Sequence, residues 1–506
     1  MKSNEQDLRS QKDWKAGSPS VIRYRIILVS ILMAFSLYLT RNAMPEIVKS
    51  ESFLQDPSLL TSPSTRFSIE LTKVGDAAQL NATIGKDIEQ LNAPQTIADG
   101  LTKDDAARML SELEASGSSG YLRISKQQIG SIMGVFFFTY ALLQVPAGWI
   151  GDRLGARKAL SSYIFIWSLL AGVSGMVTSL TGILIARLGF GLAQAGAYPT
   201  SSAIVRRWFP LSQRGQSSSL ISIGGRLGGA VAPFLTMFLI LNIGGWRYTL
   251  WLYGLIGVAV AIVYYWVVRD RPTEHPDCNE SERQLIGKPG DDTRPELREI
   301  ASSLIRCCKS SSLWLNAVVQ FCINMGWAFL VTWLPTYLKE VHQVPEQRGA
   351  LMVTTILAMG IIGQFMGGRL TDWSVRRFGL RVGRVLPVTI TSLLASASYL
   401  VCLGSGSLWV VVGCCAIVSL MTDIGNPSLW AIMQDTGGRN TGSIFGWGNM
   451  WGNFGAALHA KLIPMLLAST LGSTYGYGTI FVVCAFSFFI AGTCALGMNA
   501  SKPIFE

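Results

Sequence analysis

The sequence predicts an all-α polytopic membrane protein in which twelve transmembrane helices form two pseudo-symmetric six-helix bundles. Of the 506 residues, 49% are apolar and only 14% are charged, whereas soluble proteins carry about 25% charged residues. Twelve apolar stretches have the length of about 20 residues that crosses a bilayer. One short motif also recurs at equivalent points of the two halves.

The apolar stretches fall into two groups of six, which we number spans 1 to 12. The predicted cores in the first half are 26–44, 128–149, 159–178, 180–204, 216–242 and 248–268. Those in the second half are 312–334, 349–370, 385–404, 407–430, 442–468 and 478–498. The predicted organisation is therefore a tail at 1–20, a first half at 21–268, a linker at 269–311 and a second half at 312–500.

Span 1 is predicted to stay in the protein, because the run from Ile26 to Leu39 is followed by Arg41 and not by the small-residue cleavage site of a signal peptide. The distribution of Lys and Arg predicts the orientation. With the amino terminus inside, the inside segments hold 27 of the 42 Lys and Arg, and the short outside loops hold 3. Both termini are thus expected in the cytoplasm, with the chain in the inner or plasma membrane.

A long outward insertion at about 45–125 breaks the symmetry of the two halves. Thr102 followed by Asp105 predicts a capped helix at 103–115. The triplet Asn-Ala-Thr at 81–83 matches a glycosylation acceptor. The Ser, Gly and Asp content is typical of a loosely ordered surface segment, and a small cap domain is the alternative.

The net charge of +11 does not indicate a nucleic-acid partner, because the basic residues fall in short clusters between apolar runs, as the positive-inside rule requires. The nine cysteines lie in apolar runs or in the linker, and the three histidines are scattered, so neither a disulfide framework nor a metal site is predicted. The chain has no nucleophile–base pair and no nucleotide loop. We therefore predict no enzyme activity and no cofactor.

The recurring motif follows span 2 and again span 8. It reads Gly-Asp-Arg-Leu-Gly-Ala-Arg-Lys at 151–158 and Gly-Arg-Leu-Thr-Asp-Trp-Ser-Val-Arg-Arg at 368–377. Both copies face the same side, as in carriers built from parallel repeats that rock about a midplane site. A carboxylate beside guanidinium groups can form a latch between the halves, and the alternative is that the basic residues only set topology. The candidate gating residues are Asp152, Arg153, Arg157, Arg187, Asp372 and Arg376.

The motif at 151–158 resembles the signature of the major facilitator superfamily, and this resemblance covers the chain outside the insertion. The segments 187–191, 195–200 and 206–215, with Trp-Leu-Pro-Thr-Tyr-Leu at 333–338, look like the anion:cation symporter family within it. Members of that family carry small organic anions such as sugar acids, often with protons or sodium. The resemblance thus implies the major facilitator fold and alternating-access transport of an organic anion.

Two arginines in apolar spans are candidates for anion binding. Arg226 lies ten residues into span 5, about 15 Å along the helix, where a guanidinium needs a wet cavity or a partner. The alternative for Arg226 is a fixed ion pair with Asp423 of span 10. Arg41 lies at the outer part of span 1, where the resemblance implies a grip on a substrate carboxylate, and the alternative is an ordinary interfacial arginine.

Two positions depart from the resembled family. Thr40 stands where many members have Asp, and Gln194 stands where many have a buried Glu. Since an amide carries no proton, proton coupling would need other groups, and sodium coupling, anion exchange and uniport fit the sequence equally. The candidate coupling groups are Asp423, Asp435, Glu46 and His459. Further candidate substrate ligands, with interhelical hydrogen bonding as the alternative role, are Tyr140, Gln144, Gln194, Tyr198, Asn449 and Asn453.

The leading hypothesis is a monomeric secondary transporter that moves a small organic anion, such as a sugar acid or another carboxylate, across the bilayer. One alternative is an organophosphate or phosphate exchanger. Such carriers usually place a second arginine in helix 7, where this chain has Trp327. Another alternative is a transport-inactive nutrient sensor of carrier-like fold, which would bind an anion without moving it.

Overall fold

The computed structural model is a bundle of long helices with a small sheet at one end. It describes residues 18–60, 69–73, 96–97, 120–124, 126–287, 305–469, 476–502 and 504. The helix predicted at 103–115 and the triplet at 81–83 lie outside the described residues.

The helices of the first half begin and end close to the predicted span limits. They are α1 (Ile22–Ile47), α2 (Glu51–Leu54), α3 (Pro57–Leu60), α4 (Lys126–Leu142), α5 (Gln144–Leu154), α6 (Ala156–Ser174), α7 (Leu180–Ala195), α8 (Ala197–Trp208), α9 (Arg214–Leu239) and α10 (Trp246–Val267). Span 2 consists of α4 and α5, which are bent by 52° at their junction. Span 4 consists of α7 and α8, and a π-helical turn at Ile240–Gly244 extends α9.

The helices of the linker and the second half follow the same order as the predicted spans. They are α11 (Glu280–Ile286), α12 (Ser311–Thr332), α13 (Leu334–Glu340), α14 (Glu346–Leu403), α15 (Leu408–Gly437), α16 (Thr441–Leu467) and α17 (Gly478–Ala495). The 58 residues of α14 would extend about 87 Å, too far for one crossing. Gly379, with φ 76°, interrupts α14 in a conformation that suits glycine and separates spans 8 and 9.

The insertion contributes a three-stranded antiparallel sheet that the sequence did not predict. Its strands are β1 (Ile69–Lys73), β2 (Thr96–Ile97) and β3 (Gly120–Ile124), with β1 in the middle. In the register, Ile69 lies opposite both Ile97 and Ile124. The start of the insertion is tied to the first half, because Arg247 forms an ion pair of 3.1 Å with Asp56.

Each half has its own aromatic core. Trp167 and Trp208 are completely buried in the first half, and Phe329 and Tyr399 are completely buried in the second. On the outer surface, long apolar side chains remain uncovered, as expected for helices that face lipid. Phe234, for example, is 77% exposed.

The helices α1 and α9 approach closely because α9 carries glycines at the contact. A Cβ atom at Gly224 would lie 2.6 Å from the carbonyl oxygen of Ile31, and one at Gly228 would collide with the carbonyl oxygen of Phe35. Only glycine permits this separation, as at other close helix contacts in membranes. The contact brings Arg226 of α9 next to the side chains of α1.

The linker packs under the first half. Glu282 of α11 is completely buried and accepts hydrogen bonds from the backbone N–H groups of Ile22, at 3.3 Å, and Arg23, at 3.2 Å. These first-turn N–H groups of α1 have no helical acceptor, so the carboxylate stabilises the helix terminus. We call this end of the bundle, where residues 269–287 lie, the linker face, and the end that carries the sheet the insertion face.

Candidate functional site

Arg41 is the first element of a polar site between the two halves. Its Nε donates a hydrogen bond of 3.0 Å to the Oε1 atom of Gln194 in α7. The Gln194 amide donates in turn to Thr40 and to the carbonyl oxygen of Leu37, both at 3.3 Å. Thr40 and Gln194 therefore hold Arg41 in place without adding a negative charge.

Aromatic rings enclose the Arg41 guanidinium group. Its central carbon lies 4.2 Å from the ring centre of Tyr140 and 5.0 Å from that of Tyr38. Such contacts stabilise a cation through the electrons of the ring face. In the described part of the chain, the buried Nη2 atom of Arg41 has no hydrogen-bond acceptor.

Arg187 of α7 lies beside Arg41. The two guanidinium groups approach the same ring, Phe136, at 4.7 Å for Arg187 and 5.4 Å for Arg41. Among the described residues, no carboxylate forms an ion pair with either one, and the buried Nε and Nη2 atoms of Arg187 have no acceptor. Two neighbouring cations without a counterion form a site that would favour an anion.

Arg226 connects the two halves. Its Nη2 donates to the Oδ1 atom of Asp423 in α15 at 2.6 Å, and Gln364 of α14 donates to the same oxygen at 2.9 Å. The guanidinium group also lies 5.1 Å from the ring centre of Trp327 in α12. Solvent reaches 26% of the Arg226 side chain but only 1% of Asp423. The ion pair that the sequence offered as the alternative role of Arg226 is thus present, and its arginine side is open to water.

Tyr198 of α8 lies between the two arginine sites. Its ring centre is 6.2 Å from that of Tyr38 and 5.1 Å from that of Trp430 in α15. Tyr198 interacts electrostatically with both Arg41 and Arg226. We call the set formed by Arg41, Arg187, Arg226, Asp423 and the surrounding tyrosines the central site.

Two of the predicted polar ligands meet across the halves. The Nδ2 atom of Asn449 in α16 donates to the Oε1 atom of Gln144 in α5 at 2.6 Å. Asn453 donates to the backbone carbonyl oxygen of Asn449 at 2.7 Å, so this amide stabilises its own helix. The completely buried Nε2 atom of Gln144 has no acceptor in the described residues.

At the linker face, Asp152 of α5 caps a helix of the other half. Its two carboxylate oxygens accept hydrogen bonds from the backbone N–H groups of Gly442, at 2.8 Å, and Ser443, at 2.9 Å, in the first turn of α16. Arg207 of α8 acts on the carboxylate electrostatically. A charged cap on a helix terminus is a strong contact because it satisfies unpaired N–H groups and the helix dipole together.

Asp372 makes the equivalent contact from the second half. It accepts from the backbone N–H groups of Gly215 and Gln216 in the first turn of α9, both at 2.9 Å. Arg384 lies 3.4 Å from Asp372 and 2.8 Å from Asp435.

Asp435 also pairs with Arg214 of the first half at 2.6 Å. We call Asp152, Asp372, Asp435, Arg214 and Arg384 the linker-face cluster. It joins the two halves below the central site.

Several predicted gating residues lie outside this cluster. Arg376 is exposed. Arg153 lies over the ring of Trp149, at 5.5 Å. Arg157 donates through Nε to the carbonyl oxygen of Tyr265 at 2.8 Å. Arg187 is in the central site, because its position on α7 places it beside Arg41.

The predicted coupling groups occupy four different environments. Asp423 belongs to the central site and Asp435 to the linker-face cluster. Glu46 pairs with Lys49, at 3.0 Å, at the far end of α1. His459 is completely buried in α16 near the backbone of Met325. Among the described residues, no cluster of His, Cys, Asp and Glu could hold a metal ion.

The sequence missed Arg214, Arg384 and Gln364. Gln364 could have been singled out from the sequence, because it is an amide inside the apolar run of span 8. Arg214 and Arg384 stand among other cations at the ends of spans, where basic residues also set topology. Their pairing with Asp435 depends on tertiary packing.

The sequence matches the model of one large family. The model described as Major Facilitator Superfamily matches residues 26–460. This chain belongs to the major facilitator superfamily. The predicted fold class of twelve transmembrane helices is therefore confirmed, and the chain is an integral membrane transport protein and not an enzyme.

Relatives with informative names cover most of the chain. "Probable sulfoacetate transporter SauU" of Cupriavidus necator is 26% identical over 392 residues, or 74% of this chain and 86% of that protein. "Probable galactarate/D-glucarate transporter GudP" of Escherichia coli strain K12 is 26% identical over 366 residues, or 68% and 79%. The crystal structure of the human organic anion transporter MFSD10 covers 94% of this chain and 99% of that one, with a TM-score of 0.61 and 16% identity. This last similarity concerns the fold alone.

Proposed function

We propose that this protein is a secondary transporter of small organic anions, of the class formed by sugar acids and short sulfonates or carboxylates. The observation that carries the proposal is the excess of positive charge in the central site. Arg41 is positioned by Gln194, enclosed by tyrosine rings and free of any carboxylate among the described residues. An anion is the ligand that such a site stabilises most.

Arg41, Arg187 and Arg226 have separate roles in this proposal. The planar fork of Arg41 binds a carboxylate or sulfonate group through two parallel hydrogen bonds. Arg187 adds a second positive charge near the carboxylate or sulfonate group that Arg41 binds. Arg226, which is reached by solvent, binds the other end of the substrate or a second acidic group.

Polar and aromatic groups near the arginines suit a hydroxylated substrate. Tyr198 and Trp430 can pack against the carbon chain, and Gln144 and Asn449 can exchange their mutual hydrogen bond for bonds to hydroxyl groups. The names of the relatives support this substrate class, because one refers to sulfoacetate and another to galactarate and D-glucarate.

Alternating access would use the linker-face cluster as its gate. Here both carboxylate caps are made, and the halves are in contact at the linker face. With the linker face in the cytoplasm, as the charge distribution predicts, this is the state closed to the cytoplasm. Substrate would enter from the insertion face, and the caps would break as the halves rock.

The direct test is uptake into liposomes that contain the purified protein. Sulfoacetate, D-glucarate and galactarate would be offered one at a time, in the presence and absence of proton and sodium gradients. The proposal requires saturable uptake of at least one of these anions and competition among them. Saturable binding without uptake would instead indicate an anion-binding sensor.

A phosphate exchanger is the second candidate, because Arg41 and Arg187 lie around the same ring and together suit a doubly charged group. The same liposomes, loaded with inorganic phosphate or a sugar phosphate, distinguish the two. Exchange of phosphates without uptake of carboxylates or sulfonates would replace the leading proposal.

A further inference from the structure

The pair of Arg226 and Asp423 differs from the other ion pairs because it joins the two halves inside the central site. Arg226 belongs to α9 of the first half, and Asp423 belongs to α15 of the second. The N–O distance is 2.6 Å, and only the arginine is open to solvent. An anion entering the site therefore meets the arginine side of the pair before the carboxylate.

Asp423 would be left in an unfavourable state once an anion bound Arg226. The charged group that faces the carboxylate is Arg226 of α9, and the other groups around it are uncharged: Gln364 and Gly360 of α14 and Ser419 of its own helix. Its buried Oδ2 atom has no hydrogen-bond donor in the described residues. A buried carboxylate that loses its only cation is strongly destabilised, and protonation removes the charge.

Thr40 and Gln194 leave this role open. Gln194 accepts a hydrogen bond from Arg41 and donates one to Thr40, and both side chains are neutral. Glu46 lies at the far end of α1 with Lys49, and Asp435 is held by two arginines at the linker face. Asp423 is thus the carboxylate, among the described residues, whose partner an anion in the central site can take away.

We propose that the substrate anion replaces Asp423 on Arg226, and that Asp423 then takes up one proton from the aqueous side, so that one proton accompanies each anion. This inference rests on the proposed function. The ion pair breaks, the substrate forms hydrogen bonds with the guanidinium group, and the Asp423 carboxylate gains the proton that neutralises it. Release of the anion on the other side reverses each change, and the proton leaves with it.

The first experiment measures proton uptake on binding, which needs no transport. Sulfoacetate and D-glucarate are titrated into the purified protein by calorimetry at one pH in two buffers of different ionisation enthalpy. The difference between the two apparent enthalpies, divided by the difference between the two ionisation enthalpies, gives the number of protons taken up. We expect about one proton per anion for the wild type and none for Asp423→Asn, whose amide cannot be protonated.

The second experiment distinguishes the coupling of anion transport to protons from the movement of the anion itself. Asp423→Asn should bind both anions at least as tightly as the wild type, because the internal competitor for Arg226 is neutral. It should exchange internal for external anion in liposomes, yet fail to accumulate anion when a proton gradient is imposed. Glu46→Gln is the matched control, since it makes the same acid-to-amide change outside the site and should retain gradient-driven accumulation.

The results separate failure of the inference from failure of the proposed function. Anion binding without proton uptake by the wild type overturns the inference alone, as does gradient-driven accumulation by a folded Asp423→Asn protein. If neither anion binds the folded wild type, the function and the inference fail together. Should Asp423→Asn not fold, the wild-type calorimetry decides by itself.

Discussion

The linker-face cluster and the central site contain the same residue types but balance their charges differently. In the cluster, two carboxylates meet two guanidinium groups, and Asp152 accepts from backbone N–H groups. In the central site, three guanidinium groups meet one described carboxylate, Asp423. Balanced buried charges hold helices together, whereas an excess of one sign attracts a ligand of the other. The partners of an arginine, more than its burial, thus distinguish a structural role from a binding role.

The largest effect is expected from removing Arg384, because this substitution unbalances the charges of the linker-face cluster. Its side chain is completely buried between Asp372 and Asp435, so Arg384→Ala leaves two buried carboxylates with less compensation. We expect a loss of about 3 to 5 kcal/mol in stability, seen as a lower apparent Tm of the detergent-purified protein. Arg376→Ala is the control, because Arg376 is exposed and should change the apparent Tm little. Equal effects of the two substitutions would contradict the account of the cluster.

Removal of Arg41 tests the central site, where the excess of positive charge is proposed to bind the anion. Hydrogen bonds to charged groups contribute about 1.5 to 3 kcal/mol each, so Arg41→Ala should weaken sulfoacetate binding by roughly 100-fold. Arg41→Lys keeps the charge but loses the planar fork, and should show a smaller loss. Both variants should keep the apparent Tm of the wild type within a few degrees. Unchanged affinity in a folded Arg41→Ala protein would make this arginine structural.

Removal of the charge of Asp152 should have a moderate effect. Asp152→Asn retains one acceptor for the first turn of α16 and loses the charged cap, which costs about 1 kcal/mol. We expect liposome uptake to fall roughly fivefold while membrane insertion stays normal. The comparison variant is Arg153→Gln, since Arg153 contacts Trp149 and not the carboxylate. A larger effect of Arg153→Gln than of Asp152→Asn would be inconsistent with the helix cap.

The smallest effect is expected at the insertion face. Asp56 pairs with Arg247 and accepts from Trp246 at 3.1 Å, which fastens the start of the insertion to the first half. Asp56→Asn should lower stability by about 1 kcal/mol or less, as for other partly exposed pairs. Limited proteolysis should cut the segment between α1 and β1 sooner in the variant. Equal rates of cleavage would show that this pair does not hold the segment.

The sequence predicted those parts of the site in which a single residue differs in charge from the apolar residues around it or recurs in the internal repeat. Arg41 and Arg226 stand out because charged side chains are rare in apolar spans. Asp152 and Asp372 stand out because the internal repeat places them at equivalent points. The twelve spans follow from hydrophobic length, which needs no knowledge of tertiary contacts.

The parts that the sequence could not predict depend on which surfaces meet. Arg384 is one of several cations in its segment, and only the packing of α14 against α15 brings it to Asp435. The pairing of β1 with β3 joins short strands far apart in the chain, which local propensity does not specify. The orientation of the Gln194 amide, with its oxygen toward Arg41, likewise depends on α1 and α7 together.

The most direct test of the central claim is sulfoacetate binding by the wild type and by Gln194→Glu. Glutamate has the shape of glutamine and can keep the hydrogen bond from Arg41. The change adds one negative charge beside this guanidinium and removes the amide donations to Thr40 and to the carbonyl oxygen of Leu37. If the excess of positive charge binds the anion, affinity at pH 8 should fall by about tenfold or more. Equal or tighter binding by a folded Gln194→Glu protein would contradict the account.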